Sequence, residues 1–153
     1  MNASARRPDA GRRARTLARR LALQALYQLQ LNELPWQDTH KQYATDPEAA
    51  RADRAYFRKL LGAIASRRGA LDEIILRCSE IAPDELDPVE HAVLWLGLYE
   101  LQYCPQLPFR VVIAEAVQLA RQFGATDGHK FVNAVLDRAA RELRPHEYGR
   151  DAV

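Results

Sequence analysis

Residues 87–103 of this 153-residue chain read DPVEHAVLWLGLYELQY and decide its fold class. Asp87 is a suitable N-cap, Pro88 fits the first helical turn, and Glu90 stands where a capping-box acid belongs. The helix that follows, to about Tyr103, is apolar almost all the way round. Because a helix without a polar face must be covered on every side, this segment predicts the central buried helix of a helical protein.

Helical patterns continue on both sides of this segment, and no stretch alternates convincingly as a strand would. The predicted class is all-α, with about six or seven helices joined by short loops. Residues 35–45 are expected to form a loop with about one helical turn. Asp46 is expected to cap the second helix, and Thr126 or Asp127 the last. The helices other than the central one are predicted over residues 12–31, 47–65, 70–78, 109–123 and 127–143.

The composition is that of a folded protein with one domain. Hydrophobic residues make up 48% of the chain and charged residues 27%, which excludes a disordered chain. The length suffices to bury a core without disulfides or metals. We expect a flexible basic tail over residues 1–11, one helical domain over 12–145, and a C-terminal tail over 146–153.

The sequence shows no sign of catalytic, metal or membrane chemistry. Cys78 and Cys104 are the only cysteines and the four histidines are scattered, so no disulfide framework, metal site or other cofactor is expected. Phosphate-cradling glycine loops and nucleophile motifs are missing, which predicts a non-enzymatic protein. Apolar runs fall short of the roughly 20 residues that span a bilayer, and the start lacks a signal-peptide core. These features favour a cytoplasmic protein without membrane contact.

Positive charge is concentrated at the start of the chain. Residues 1–20 contain seven arginines and one acid, a net charge of +6, whereas the whole chain carries +2. A basic end on a mildly acidic body suggests a docking site for a polyanion. For the arginines before residue 12, a solvated and disordered arm is the alternative.

The first predicted helix separates an apolar arc from a basic face. At 100° per residue, the arc that should face the core comprises Leu17, Ala18, Leu21, Ala22, Ala25, Leu26 and Leu29. The opposite side carries Arg13, Arg20, Gln24 and Tyr27, and the adjoining strip carries Arg12, Arg19 and Leu23.

This basic face has the parts of a surface for single-stranded nucleic acid. Guanidinium groups pair with phosphates, Tyr27 offers a flat platform for a base, and the amide of Gln24 can read a base edge. From the residues alone, a solvated arginine face with Tyr27 packed against another helix is an equal alternative. Basic amphipathic helices also bind membranes and partner proteins.

Four motifs, in order along residues 12 to about 145, resemble the NusB family of transcription antitermination proteins. They read RRLALQALY at 19–27, YFRKLLG at 56–62, VEHAVL at 89–94 followed by LYEL at 98–101, and FGATDGHKFVN at 123–133 followed by VLD at 135–137. The chain departs from the family pattern at Trp95, Ala114 and Ala134, which are helix-compatible changes that affect packing around two central helices.

The resemblance implies two packed three-helix subdomains and a non-enzymatic RNA-binding function. Such a protein would bind the boxA segment of ribosomal RNA transcripts as a single strand, together with a small-subunit ribosomal protein, NusE. The pair would join the RNA polymerase elongation complex with other Nus factors and suppress premature termination. Whether the free protein forms a homodimer is left open.

The resemblance also implies which residues form the site. Asp127 would border the RNA surface, with helix capping as its alternative role, and Glu90 would belong to the side that meets the ribosomal protein. For Phe131 an ordinary core position is the alternative. The full predicted RNA-binding set is Arg12, Arg13, Arg15, Arg19, Arg20, Gln24, Tyr27, Lys130 and Phe131.

Two other functions compete with this interpretation. Some ribosomal RNA cytosine methyltransferases begin with a NusB-like RNA-binding domain, so the chain could be related to such a domain. It could also be a helical adapter that binds proteins and never contacts RNA. A measurement of RNA binding distinguishes the adapter, which would not bind RNA, from the antitermination factor and the methyltransferase-related domain.

Overall fold

The computed structural model describes residues 8–151, with side chains described for residues 10–150. Within that range the ordered elements are helices and no strand occurs, so the all-α class is confirmed. The α-helices are α1 (Pro8–Leu31), α2 (Trp36–Ala44), α3 (Arg54–Ala65), α4 (Arg68–Cys78), α5 (Pro88–Tyr103), α6 (Phe109–Phe123), α7 (Gly128–Leu143) and α8 (Pro145–Asp151). Short 3-10 helices cover Pro47–Ala50 and Pro83–Glu85.

Aspartate caps explain where several helices begin. The Asp87 carboxylate accepts hydrogen bonds from the N–H groups of Val89 and Glu90 at 2.9 and 3.2 Å, so α5 begins where the sequence predicted. Asp53 accepts from the N–H of Tyr56 at 3.0 Å and begins α3. Each bond satisfies a backbone donor that the first helical turn leaves without a partner.

Several boundaries differ from the sequence-based prediction. Asp46 caps only the four-residue 3-10 helix, through the N–H of Glu48 at 2.8 Å, and the following α-helix begins later, at Arg54. Residues 35–45, predicted as a loop with about one helical turn, contain the nine-residue α2. The helix predicted from Arg12 begins at Pro8, and the rest of the predicted N-terminal tail, residues 1–7, lies outside the described residues. The predicted C-terminal tail contains α8, and residues 152–153 lie outside the described range.

The chain divides into two compact units, with the boundary between Ser66 and Arg67. In the first, α1 packs against α2 and α3. The Trp36 ring of α2 lies on Gly62 of α3, where an added Cβ would come within 2.9 Å of the ring. This contact packs α2 against α3, and such tertiary packing is not visible in the polar sequence of α2. The largest fully buried side chains of this unit are Leu21, Leu23, Leu26, Phe57, Leu60, Leu61 and Ile64.

In the second unit, α5 is the central helix that the sequence predicted. Every residue from Ala92 to Leu101 is buried, and α5 packs against α4, α6 and α7. Helices α5 and α7 approach closely at Gly97, where an added Cβ would lie 2.8 Å from a Leu136 methyl carbon. The unit contains five α-helices, rather than the three that the family resemblance implied, because α4 and α8 also belong to it.

No helix in the described part of the chain is long and apolar enough to cross a membrane. Among the described side chains, no group of three or more His, Cys, Asp or Glu residues is placed to hold a metal ion.

Candidate nucleic-acid interface

The apolar arc of α1 faces the core as the sequence predicted. Six of its seven residues are buried, and Leu17 is partly exposed. On the outer side of the first turns, Arg12, Arg13 and Arg15 are exposed to solvent. Three exposed guanidinium groups therefore lie within four residues of α1, and guanidinium groups of this kind can pair with phosphates.

Arg19 lies elsewhere than predicted. Its side chain is only 3% exposed, and neighbouring Leu23 is 2% exposed, so the strip that the helical wheel placed at the margin is covered. The Arg19 guanidinium carbon lies 5.6 Å from the ring centre of Tyr56 on α3. The expectation that Arg19 points outward is wrong, because α3 packs against this side of α1 and provides an aromatic ring for the cation.

Arg20 is half-buried and forms an ion pair within the first unit. Its Nη2 lies 3.2 Å from Oε2 of Glu48, on the 3-10 helix that the sequence did not predict. This carboxylate reduces the positive potential that Arg20 contributes to the surface. Of the five predicted arginines, Arg12, Arg13 and Arg15 are therefore the more accessible to a polyanion.

Gln24 and Tyr27 are both partly exposed, one and two turns beyond Arg20. The Gln24 amide donates a hydrogen bond to the carbonyl oxygen of Arg20 at 3.2 Å, which holds the side chain along the helix. The Tyr27 ring is not sealed in the core. Stacking with a base requires such an exposed ring. The geometry is therefore compatible with base stacking by Tyr27 and with contact between Gln24 and a base edge.

The structure adds a residue that the sequence interpretation missed. Lys59 of α3 is exposed, and its Nζ lies 5.9 Å from the same Tyr56 ring that Arg15 and Arg19 approach. It lies within the motif YFRKLLG at 56–62, which carried part of the family resemblance. Lys59 and Arg15 approach the same ring only because α1 packs against α3, which no local pattern reports.

The predicted residues of the second unit lie at the start of α7. Asp127 precedes the helix, but its side chain makes no capping hydrogen bond, so its predicted role as a side-chain cap is wrong. Instead its carboxylate lies 3.5 Å from the ammonium of Lys130, and both side chains are about three-quarters exposed. Phe131 is partly exposed, whereas Val132 beside it is buried. Asp127, Lys130 and Phe131 thus form a mixed polar and aromatic surface.

Glu90 is buried, with 9% of its surface exposed. An added Cβ on Gly128 would lie 2.0 Å from its Oε2, so only glycine fits at the start of α7 while the carboxylate occupies this place. Burial raises the pKa of Glu90, the charge of Asp87 raises it further, and a hydrogen bond from the backbone of Ala125 opposes both. The carboxylate therefore interacts with the loop between α6 and α7, rather than serving as the predicted capping-box acid.

Glu90→Gln should make the protein more stable at neutral pH. The pKa is raised in the folded state above its ordinary value of 4.5, so folding favours the protonated form and the charged form costs stability above the folded-state pKa. The advantage of the variant should be largest at pH 7 and vanish as the pH falls below the unfolded-state pKa. Urea unfolding of the wild type and the variant at a series of pH values measures this difference in the free energy of unfolding.

The exposed Glu80 provides the matched control, because Glu80→Gln removes the same charge without a buried site. A stability difference between the wild type and Glu90→Gln that does not change with pH would contradict the assignment of this titration to Glu90.

Comparison with known proteins decides the family. The sequence model of the NusB family matches residues 16–141, more than half of the chain. The chain belongs to the NusB family. The match includes the predicted residues from Arg19 onwards, whereas Arg12, Arg13 and Arg15 precede the matched range.

Curated relatives and solved structures agree with this membership. The transcription antitermination protein NusB of Pseudomonas putida (strain GB-1) is 45% identical over 143 residues, which are 91% of this chain and 86% of that protein. NusB of Shewanella pealeana is 45% identical over 124 residues, covering 81% and 92% of the two chains. The T. maritima NusB structure superposes with a TM-score of 0.76 at 27% identity, covering 88% of this chain and 96% of that one.

A second solved structure contains the antitermination factors NusB and NusE in complex with double-stranded RNA. It matches with a TM-score of 0.75 at 25% identity, over 85% of this chain and 98% of that chain.

Proposed function

We propose that this protein is a non-enzymatic factor that binds boxA-type single-stranded RNA of ribosomal RNA transcripts together with NusE, and so promotes transcription antitermination. The observation that carries the proposal is the exposed cluster of Arg12, Arg13 and Arg15 on the first helix of a NusB-family chain. Relatives named as transcription antitermination proteins, and a related NusB bound to NusE and RNA, support it.

Each unit has a distinct part in this proposal. In the first, the exposed arginines pair with phosphates, while Gln24 and Tyr27 contact bases. In the second, Lys130 and Phe131 contact RNA, Asp127 borders the RNA surface, and Glu90 belongs to the side that meets NusE. Since Glu90 is buried, it acts there by shaping the loop between α6 and α7.

The assembly acts in the cytoplasm, on RNA polymerase elongation complexes that carry other Nus factors. Self-association competes with this function if it covers the basic face of α1. Sedimentation of the protein with and without RNA distinguishes the two states, because a homodimer that hides the arginines should dissociate as RNA is added.

Fluorescence anisotropy tests the RNA proposal. Labelled boxA RNA, a permuted strand of the same composition, and boxA annealed to its complement are each titrated with protein, with and without NusE. We expect preference for the boxA single strand, tighter binding with NusE, and a slope of log K against log salt of about −0.7 per phosphate contacted.

Two other results of these titrations would contradict the proposal. A preference for the duplex would replace the single-strand proposal with binding of double-stranded RNA. Absence of binding to all three RNAs at low salt, with NusE still bound, would support the helical adapter instead.

Tyr27→Ala should weaken binding of boxA RNA by about 1–3 kcal/mol, because one stacked base loses its platform. The matched control is Tyr43→Ala, which removes a partly exposed tyrosine from α2 of the same unit. The same anisotropy titrations provide the measurement, and circular dichroism shows whether each variant folds. Equal RNA affinity for the wild type and folded Tyr27→Ala would assign Tyr27 to packing.

A further inference from the structure

Three cations of the first unit lie near one aromatic ring, that of Tyr56. The guanidinium carbons of Arg15 and Arg19 lie 5.5 and 5.6 Å from the ring centre of Tyr56, and the Nζ of Lys59 lies 5.9 Å from it. Arg15 and Arg19 belong to α1, whereas Tyr56 and Lys59 belong to α3. The cluster therefore joins positive charge from two helices that the sequence separates by some forty residues.

Backbone hydrogen bonds hold the two helices at this point. The N–H of Asp53, just before α3, donates to the carbonyl oxygen of Ala14 on α1 at 2.9 Å. The carboxylate of the same Asp53 accepts from the N–H of Tyr56 at 3.0 Å. One residue thus aligns Arg15 with the first turn of α3. The backbone positions from which Arg15 and Lys59 extend are therefore fixed by helix packing, so a ligand does not have to bring the two helices together.

The members of the cluster differ in exposure. Tyr56 is 9% exposed and Arg19 is 3% exposed, so these two form the base of the cluster. Arg15 and Lys59 are exposed above them. Among the side chains of residues 10–150, neither Arg15 nor Lys59 makes an ion pair with a carboxylate. Cations gathered near one ring repel each other, and a bound anion offsets that repulsion through its attraction to each of them.

We propose that Arg15 and Lys59, supported by the Tyr56 ring and Arg19, form a phosphate-binding notch that continues the RNA path from α1 onto α3. This inference rests on the proposed RNA-binding function and adds to it a contact residue, Lys59, and a direction for the strand. Tyr56 is too buried to stack with a base, so the notch binds the backbone and is indifferent to base identity.

Lys59→Ala tests the notch, with Lys41→Ala as the matched control. Lys41 is also exposed, and it lies on α2 of the same unit. In salt titrations with boxA RNA, Lys59→Ala should reduce the magnitude of the slope of log K against log salt by about 0.7. This change corresponds to about a three- to fivefold loss of affinity near 0.15 M salt. The loss should be equal for permuted RNA. Lys41→Ala should change neither quantity, and Lys59→Arg should restore both.

The outcomes separate this inference from the function on which it rests. If the wild type binds RNA and Lys59→Ala keeps its slope, the notch is wrong and the RNA-binding proposal stands. Equal losses for Lys59→Ala and Lys41→Ala would also overturn the notch, because the effect would then be one of overall charge. If the wild type binds no RNA, both proposals fail. Thermal unfolding followed by circular dichroism ensures that each variant is folded.

Discussion

Replacing Arg144 with methionine should destabilise the second unit by about 3–5 kcal/mol, the cost expected when one partner of a buried charged network is removed. Arg144 follows α7 and is 8% exposed. Its guanidinium group interacts with the end of α5, the loop before α6 and the start of α8 at once. We expect no other single arginine to contribute as much to this unit.

The geometry explains the size of the effect. The Arg144 guanidinium donates to the carbonyl oxygens of Glu100, Leu101, Cys104 and Leu107 at 2.8–3.2 Å. It also pairs with Oε1 of Glu147 at 2.6 Å, while the other oxygen of that carboxylate accepts from the N–H of Phe109 at 2.8 Å. Methionine fills similar space but donates nothing. The carbonyl oxygens of Leu101 and Leu107 would lose their partner, whereas those of Glu100 and Cys104 would keep a backbone N–H.

Tryptophan fluorescence measures this unfolding separately in each unit. The two tryptophans of the chain lie one in each unit, Trp36 in the first and Trp95 in the second. In a Trp36→Phe background, urea unfolding followed through Trp95 reports the second unit alone. Arg144→Lys keeps the charge but lacks the planar set of donors, so it should recover only a small part of the loss.

Arg141→Met is the matched control for Arg144→Met. Arg141 lies one turn earlier on α7, pairs with Asp137 at 3.5 Å and has 66% of its side chain exposed. Its replacement should change stability far less than Arg144→Met, because its ion pair and its hydrogen bond to the Tyr148 hydroxyl at 3.0 Å are both exposed to solvent. Similar unfolding midpoints for the two variants would show that Arg144 does not hold these segments together.

Replacing Arg12, Arg13 and Arg15 together with alanine should weaken boxA RNA binding about 50-fold near 0.15 M salt. Each phosphate contact on a single strand contributes about 0.7 to the slope of log K against log salt, so three contacts change the slope by about 2. All three side chains are exposed, and the fold should tolerate their loss. Salt titrations by fluorescence anisotropy give both the affinity and the slope.

A control variant with the same change in net charge tests whether location matters. Arg68, Arg121 and Arg150 are exposed and belong to the second unit, whereas Arg12, Arg13 and Arg15 belong to the first. Their replacement with alanine should leave the slope nearly unchanged. If both triple variants lose the same affinity, long-range charge would account for binding, and the first turns of α1 would not be the RNA surface.

The structure changes which arginines this experiment should target. On the helical wheel, Arg19 and Arg20 belong to the same surface as Arg12 and Arg13. In the folded chain Arg19 is buried against Tyr56, and Arg20 pairs with Glu48. A wheel shows one helix in isolation, so it cannot report a neighbour that covers one side of it.

Local signals predicted much of the fold. Helix α6 has the predicted bounds, and α5 begins at the predicted aspartate cap, because caps, prolines and apolar periodicity act within a few residues. Helices α2 and α8 were missed because their segments are short and polar. Helix α2 packs on α3 through Trp36 and Gly62. Helix α8 is held by Glu147, whose carboxylate binds Arg144 and the N–H of Phe109.

The sequence by itself determined that this chain is helical, that α5 is buried on all sides, and that α1 carries a dense set of arginines. These properties follow from the order of residues along single helices. Only the tertiary structure decided which arginines reach solvent, that Lys59 and Arg15 approach the same Tyr56 ring, and that Arg144 binds four carbonyl groups. Such contacts join residues that are far apart in the chain, and their distances depend on how helices pack.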